Sequence, residues 1–171
     1  MAASRVANSE SFKVTTPSDC EIRLTRLFDA PRHLVFEAMS KPEHIKEWWG
    51  RLGDGYSVPV CEVDFRPGGR WRFVNRTANG ELVAFYGVYR EIAAPDRVVN
   101  TEIFEQFPDI ESVVTTVLTE ENGKTRLTAT VRYPSLEVRD LVLKTGMERG
   151  AGISYDCLEE VAARLIGSAS R

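Results

Sequence analysis

Two histidines and three cysteines are all the soft metal ligands that 171 residues offer. His33 and His44 are not an i, i+4 pair, so a zinc site has no ligand set to draw on, and both lie near predicted helix starts, where an exposed side chain is the ordinary outcome. Cys20, Cys61 and Cys157 are odd in number and dozens of residues apart, which fits neither a disulfide framework nor a metal knuckle; reduced, mostly buried thiols are expected. Nucleophilic work by Cys61 or Cys157 would need a neighbouring base and an electropositive setting, and the sequence displays neither. There is no nucleophile elbow, P-loop or dinucleotide-binding glycine pattern. No run approaches the roughly 20 apolar residues of a membrane span, and the opening MAASRVANSESFKV lacks the apolar core of a signal peptide. A net charge of −3 and a pI near 5.5, with Lys and Arg scattered, leave no footprint for nucleic acid. These absences predict a cytoplasmic protein with no metal, no cofactor and no identifiable catalytic residue.

What is present is a chain that is 43% hydrophobic and 27% charged, enough for one domain with a proper core. Residues 1–18 are polar and without periodicity, and read as a mobile leader able to add a little edge strand; residues 19–167 read as a single domain. Ile22, Leu24, Arg26 and Phe28 alternate with polar residues as a strand with one buried face. Arg26 interrupts that face and needs a partner, for which Asp64 is the candidate. Two short helices follow, the first with Asp29 as N-cap and Pro31 in its first turn, the second with Ser40 and Glu43 as a capping box. The second stops at Gly50, just after Trp48 and Trp49, adjacent indoles that cannot share one neighbour.

From Val58 the pattern becomes short strands divided by turn signals, the mark of an antiparallel meander. Strands are expected over 58–65, 70–76, 82–92, 97–107, 112–120 and 125–133, the last two joined by Asn122-Gly123, a strong hairpin signal. A connecting segment over 135–145 has some helical pattern. The last helix, Met147 to about Ile166, repeats Met147, Ala151, Tyr155, Leu158, Val161, Ala162 and Leu165 at spacings of three and four, so one face is committed to the sheet. Gly150 and Gly152 in its first turns suggest that something approaches that end closely. The class is α+β: a curved antiparallel sheet wrapped on a long C-terminal helix, either over a filled core or around a cavity closed by the two short helices. In the second case Trp48, Trp71, Phe73, Phe85, Tyr89 and Phe104, with Met147, Ala151 and Tyr155 from the helix, are the expected ligand-binding lining.

The strings RLFDAPRHLVFEAMSKPEHIKEWWG, EVDFRPGGRWRF, GVYREIAAPDRVVNTE and GMERGAGISYDCLEEVAARL resemble the family of proteins similar to the C-terminal domain of the heat-shock-protein ATPase activator. That family falls within the START-like (SRPBCC) helix-grip superfamily, and the likeness runs from about Ile22 to Leu165. It implies a helix-grip fold and, in many relatives, a deep apolar cavity; it brings no shared catalytic set. Arg51 stands where relatives often have proline after the tryptophan pair. The resemblance leaves open a homodimer, a chaperone partner and a role in stress. Three functions therefore compete: a binder of a small apolar or aromatic molecule, a cyclase-like or hydrolytic enzyme using the same cavity, and a chaperone-associated interaction domain. The first is favoured because an aromatic lining with few titratable groups suits binding better than proton transfer.

Overall fold

In the computed structural model, which describes residues 8–169, the alternation around Arg26 becomes a strand at the heart of one antiparallel sheet. A 3₁₀ turn, Ser9–Ser11, leads into β1 (Lys13–Thr15), which pairs along β2 (Glu21–Phe28). Of the leader expected over 1–18, residues 1–7 lie outside the described residues. Two helices follow, α1 (Arg32–Ser40) and α2 (Pro42–Trp48), then six strands in series: β3 (Ser57–Val63), β4 (Arg70–Arg76), β5 (Leu82–Ala93), β6 (Arg97–Phe104), β7 (Glu111–Glu121) and β8 (Lys124–Arg132). The connecting segment forms α3 (Leu136–Lys144), capped by the Ser135 hydroxyl, which accepts from the Val138 N–H, and the last helix is α4 (Met147–Ala169).

The sheet order is β1-β2-β8-β7-β6-β5-β4-β3. Only β2 makes a long-range pairing, with β8; every other neighbour is the next strand in the chain, which is what short turn signals between alternating segments dictate. Asn122 and Gly123 both take positive φ between Glu121 and Lys124, the two-residue hairpin geometry that matches the twist of its strands. Register shifts within β3 and β5 bend the sheet at its far end. Its concave face meets α4 through Ile22, Leu24, Phe28, Leu127 and Ala129 on β2 and β8, against Tyr155, Leu158, Val161 and Ala162. This is the α+β arrangement that the patterning implies, and the helix-grip fold that the resemblance implies.

The helix starts differ from expectation. Helix α1 begins two residues late, with Pro31 rather than Asp29 at the N-cap and no side-chain cap, while the Asp29 N–H donates to the Glu159 carboxylate 2.9 Å away on α4. The capping box of α2 does not form either. Ser40 is still the last residue of α1, so its hydroxyl donates back to the Glu37 carbonyl at 3.3 Å and Lys41 becomes the cap residue. Gly152 admits the ring of Phe12, which would lie 3.3 Å from an added Cβ, and Gly150 faces Leu52, so the close approach at the start of α4 comes from this chain's own side chains.

Gly87 is the position where a side chain would do most local damage. It sits opposite Trp71 in the β4–β5 register, and the indole crosses over it to donate to the Thr101 carbonyl of β6 at 3.1 Å. An added Cβ would stand 1.9 Å from that carbonyl oxygen and 2.7 Å from the indole nitrogen. Gly87→Ala is therefore expected to break the bond and lower stability by about 1–3 kcal/mol, the usual cost of overpacking. A urea midpoint indistinguishable from the parent would refute this.

Candidate functional site

Between the concave face of the sheet and the helices lies a cavity of about 670 Å³. Its walls follow from strand alternation. Strand β4 turns Trp71, Phe73 and Asn75 inward, β5 Val83, Phe85 and Tyr89, β6 Val98, Asn100, Glu102 and Phe104, and β7 Ser112, Val114 and Thr116. Helix α4 closes it with Met147, Ala151, Ser154 and Tyr155. All nine side chains singled out from the sequence, Trp48, Trp71, Phe73, Phe85, Tyr89, Phe104, Met147, Ala151 and Tyr155, line this one space.

The two indoles divide their work. Trp48 ends α2 buried under α1, its N–H donating to the Ala38 carbonyl at 2.9 Å. Trp49 has left the helix with extended backbone, and swings its ring edge-on against Phe73 and Phe85, each 5.1 Å away between centroids. Phe85 in turn stacks on Phe104 at 5.0 Å. The peptide group joining Trp49 to Gly50 is held on both sides: the Asn75 amide donates to the Trp49 carbonyl at 2.9 Å, and the Gly50 N–H donates to the Ser154 hydroxyl of α4 at 3.0 Å. Gly50 must be glycine here, since φ is +63° and a Cβ would meet the Asn75 side chain at 2.3 Å.

Among the described residues two charged side chains line the cavity. Arg97 is committed to Glu91, 3.1 Å away. Glu102 has no ion-pair or side-chain hydrogen-bond partner among the described residues. Half-buried on the cavity wall, it is pushed up to about 7 from 4.5 by loss of solvation. Tyr133 and Tyr155 stand near enough for its charge to add to their burial, and both phenols are held well above their ordinary range. Sequence reasoning missed Glu102, although counting back in twos from Phe104 along β6 would have put it on the same face.

The thiols outside this wall are poor nucleophiles. Burial pushes Cys61 up to about 11, and burial also raises Cys157. His33 is exposed, and His44 is half-buried with its ring nitrogen 3.8 Å from Glu37. Among the described residues no group of three or more His, Cys, Asp or Glu side chains is placed to hold a metal ion. Among the described residues no helix is long and apolar enough to cross a membrane.

Arg26 does not pair with Asp64, which instead binds Arg66 at 2.9 Å. The strands carrying Arg26 and leading to Asp64 lie far apart in the sheet, and Arg26 faces α4. There it forms an ion pair with Asp156, lies 3.6 Å from Glu159, and sits 5.1 Å from the centre of the Phe28 ring. It belongs to the grip between strand and helix rather than to the cavity.

Residues 29–163 match the family model described as Activator of Hsp90 ATPase homolog 1-like protein. No curated protein matches the chain. Among solved structures, a Rhodobacter sphaeroides protein superposes with a TM-score of 0.81 at 24% identity, over 90% of this chain and 99% of its own. A Mycobacterium smegmatis protein does so at 0.74 and 26%, over 90% and 97%. An HSP90 activator from Plasmodium falciparum is more distant, at 0.52 and 22%, over 66% and 72%.

Proposed function

The chain belongs to the Activator of Hsp90 ATPase homolog 1-like family, and for this member we propose a carrier or sensor that takes a small apolar or aromatic molecule into the cavity. The observation that supports it most is the cavity itself. About 670 Å³ falls within the range of sites that enclose drug-sized ligands, and its wall is aromatic and aliphatic with a few inward polar groups. The exposed apolar side chains of Leu52, Phe107 and Leu141 also border this space, so they favour passage of a ligand over a docking patch elsewhere. An interaction with a chaperone, and any role in stress, rest on the family description alone.

An enzyme using the same cavity is the second reading, and Glu102 is the observation that favours it. A carboxyl that titrates near neutrality is suited to moving protons. A ligand recovered unchanged after prolonged incubation speaks for the carrier; a converted one speaks for the enzyme.

Cavity binding is tested with an apolar fluorescent dye. The folded protein is expected to bind it, and Ala151→Trp, on the face of α4 that lines the cavity, to abolish binding while leaving the urea midpoint nearly unchanged. A parent protein that binds no dye, with a variant destabilised by about 1–3 kcal/mol, would mean a filled core and remove both readings.

A further inference from the structure

We infer that the cavity is selective for organic ammonium ions, hydrophobic amines whose protonated nitrogen pairs with the Glu102 carboxylate while the apolar body lies among the surrounding rings. The inference rests on the cavity reading above and names the ligand class that it leaves open. Three observations carry it. First, Glu102 projects from β6 into the cavity with no cation to meet it; the other charged residue in the wall, Arg97, is bound to Glu91. An ionised carboxylate so enclosed is costly until a positive group arrives. Secondly, Trp49, Trp71, Phe85, Phe104 and Tyr155 are among the aromatic residues of the wall, and a cation over the face of such a ring gains an attraction that a neutral group of equal size does not. Thirdly, among the described residues no lysine, histidine or second arginine lines the cavity, so an anionic ligand would meet Arg97, already paired, and would be repelled by Glu102.

The groups facing Glu102 leave the carboxyl as the one that titrates. On its own strand it is flanked by Asn100 and Phe104, β7 sets Ser112 opposite, the residue after β8 is Tyr133 and α4 brings Tyr155. Both phenols stay protonated through neutral pH, and α3 contributes only Val138, Leu141 and Val142 to the wall. Bound ammonium must therefore draw the proton off Glu102 whenever binding occurs below its titration point.

Isothermal titration with 1-naphthylmethylamine and the matched alcohol, 1-naphthalenemethanol, tests this. Near pH 8 the amine should bind at least about tenfold more tightly than the alcohol, a single carboxylate–ammonium pair in a dry site being worth that much or more. Near pH 6, titrations in buffers of different ionisation enthalpy should show about one proton released per amine bound and none per alcohol. Glu102→Gln should bring the two affinities together and end the proton release. An amine that binds no tighter than the alcohol, or whose advantage survives Glu102→Gln, overturns the inference and leaves cavity binding standing. Failure of both probes and of the apolar dye overturns the cavity reading itself.

Discussion

Arg26→Met is expected to destabilise the protein by about 3–5 kcal/mol, because it removes one partner from a buried ionic cluster and leaves the others uncompensated. The guanidinium is fully buried on the core face of β2, paired with Asp156 and close to Glu159, which is itself buried. Burial already raises the Glu159 carboxyl, and the Asp29 N–H, Arg26 and a hydrogen bond with the Asn8 side chain hold it down in part. Without Arg26 that carboxylate keeps the Asp29 N–H and the Asn8 side chain but loses its positive neighbour, whereas Asp156 is exposed enough to be solvated. The damage should therefore be concentrated on Glu159. Adding Glu159→Gln, which keeps an oxygen for the Asp29 N–H and removes the charge, should recover much of the loss. Urea unfolding of the parent, both single variants and the double variant measures the coupling directly. A double variant as unstable as the sum of its parts would show that Arg26 acts through packing, its contact with Phe28 included, and not through charge.

The same cluster shows why sequence patterning reaches some of this molecule and not the rest. Alternation reports which side of a strand faces inward and period 3.6 reports one face of a helix, so the sheet, the last helix and the lining aromatic residues were all legible. Neither reports which inward residue meets which. Asp156 and Glu159 read as the solvated side of α4 because they fall outside its apolar stripe, and only the seating of the helix beside β2 brings them to Arg26, 130 positions away in the case of Asp156. Asp64 was the nearer guess along the chain and lies by the opposite edge of the sheet. Glu102 shares its face of β6 with Val98, Asn100 and Phe104, so alternation counted back from Phe104 does place it on the cavity wall. Alternation reports a face and not whether a charged residue on that face meets a partner, which only the fold shows. The capping box of α2 is lost because Ser40 is still inside α1, a matter of where the preceding helix ends that the local signal does not carry.

Glu102 should also impress itself on the stability of the ligand-free protein as pH changes. Its carboxyl titrates at about 7 in the folded state against 4.5 in an open chain. Between those values the folded protein holds a proton that the unfolded chain has released, so raising the pH favours unfolding. The stabilisation is complete below about pH 4.5, is lost progressively as pH rises to about 7, and falls no further once both states are ionised. At about 1.4 kcal/mol per unit the total is on the order of 3 kcal/mol. Glu102→Gln, which resembles the protonated acid at every pH, should match the parent near pH 4.5 and exceed it by about that amount near pH 8. Glu37 and Glu121 are shifted in the opposite direction, each chiefly by a hydrogen bond to a neighbouring cation, and their contribution cancels when the two proteins are compared at each pH. The comparison also reads the state of the cavity. Water clustered about the carboxylate would restore its hydration and bring its titration back toward 4.5, so parallel curves for the two proteins would mean a wet cavity. Divergence above pH 5 would mean a dry one, in which the ionised carboxylate is a standing cost that an ammonium ligand relieves.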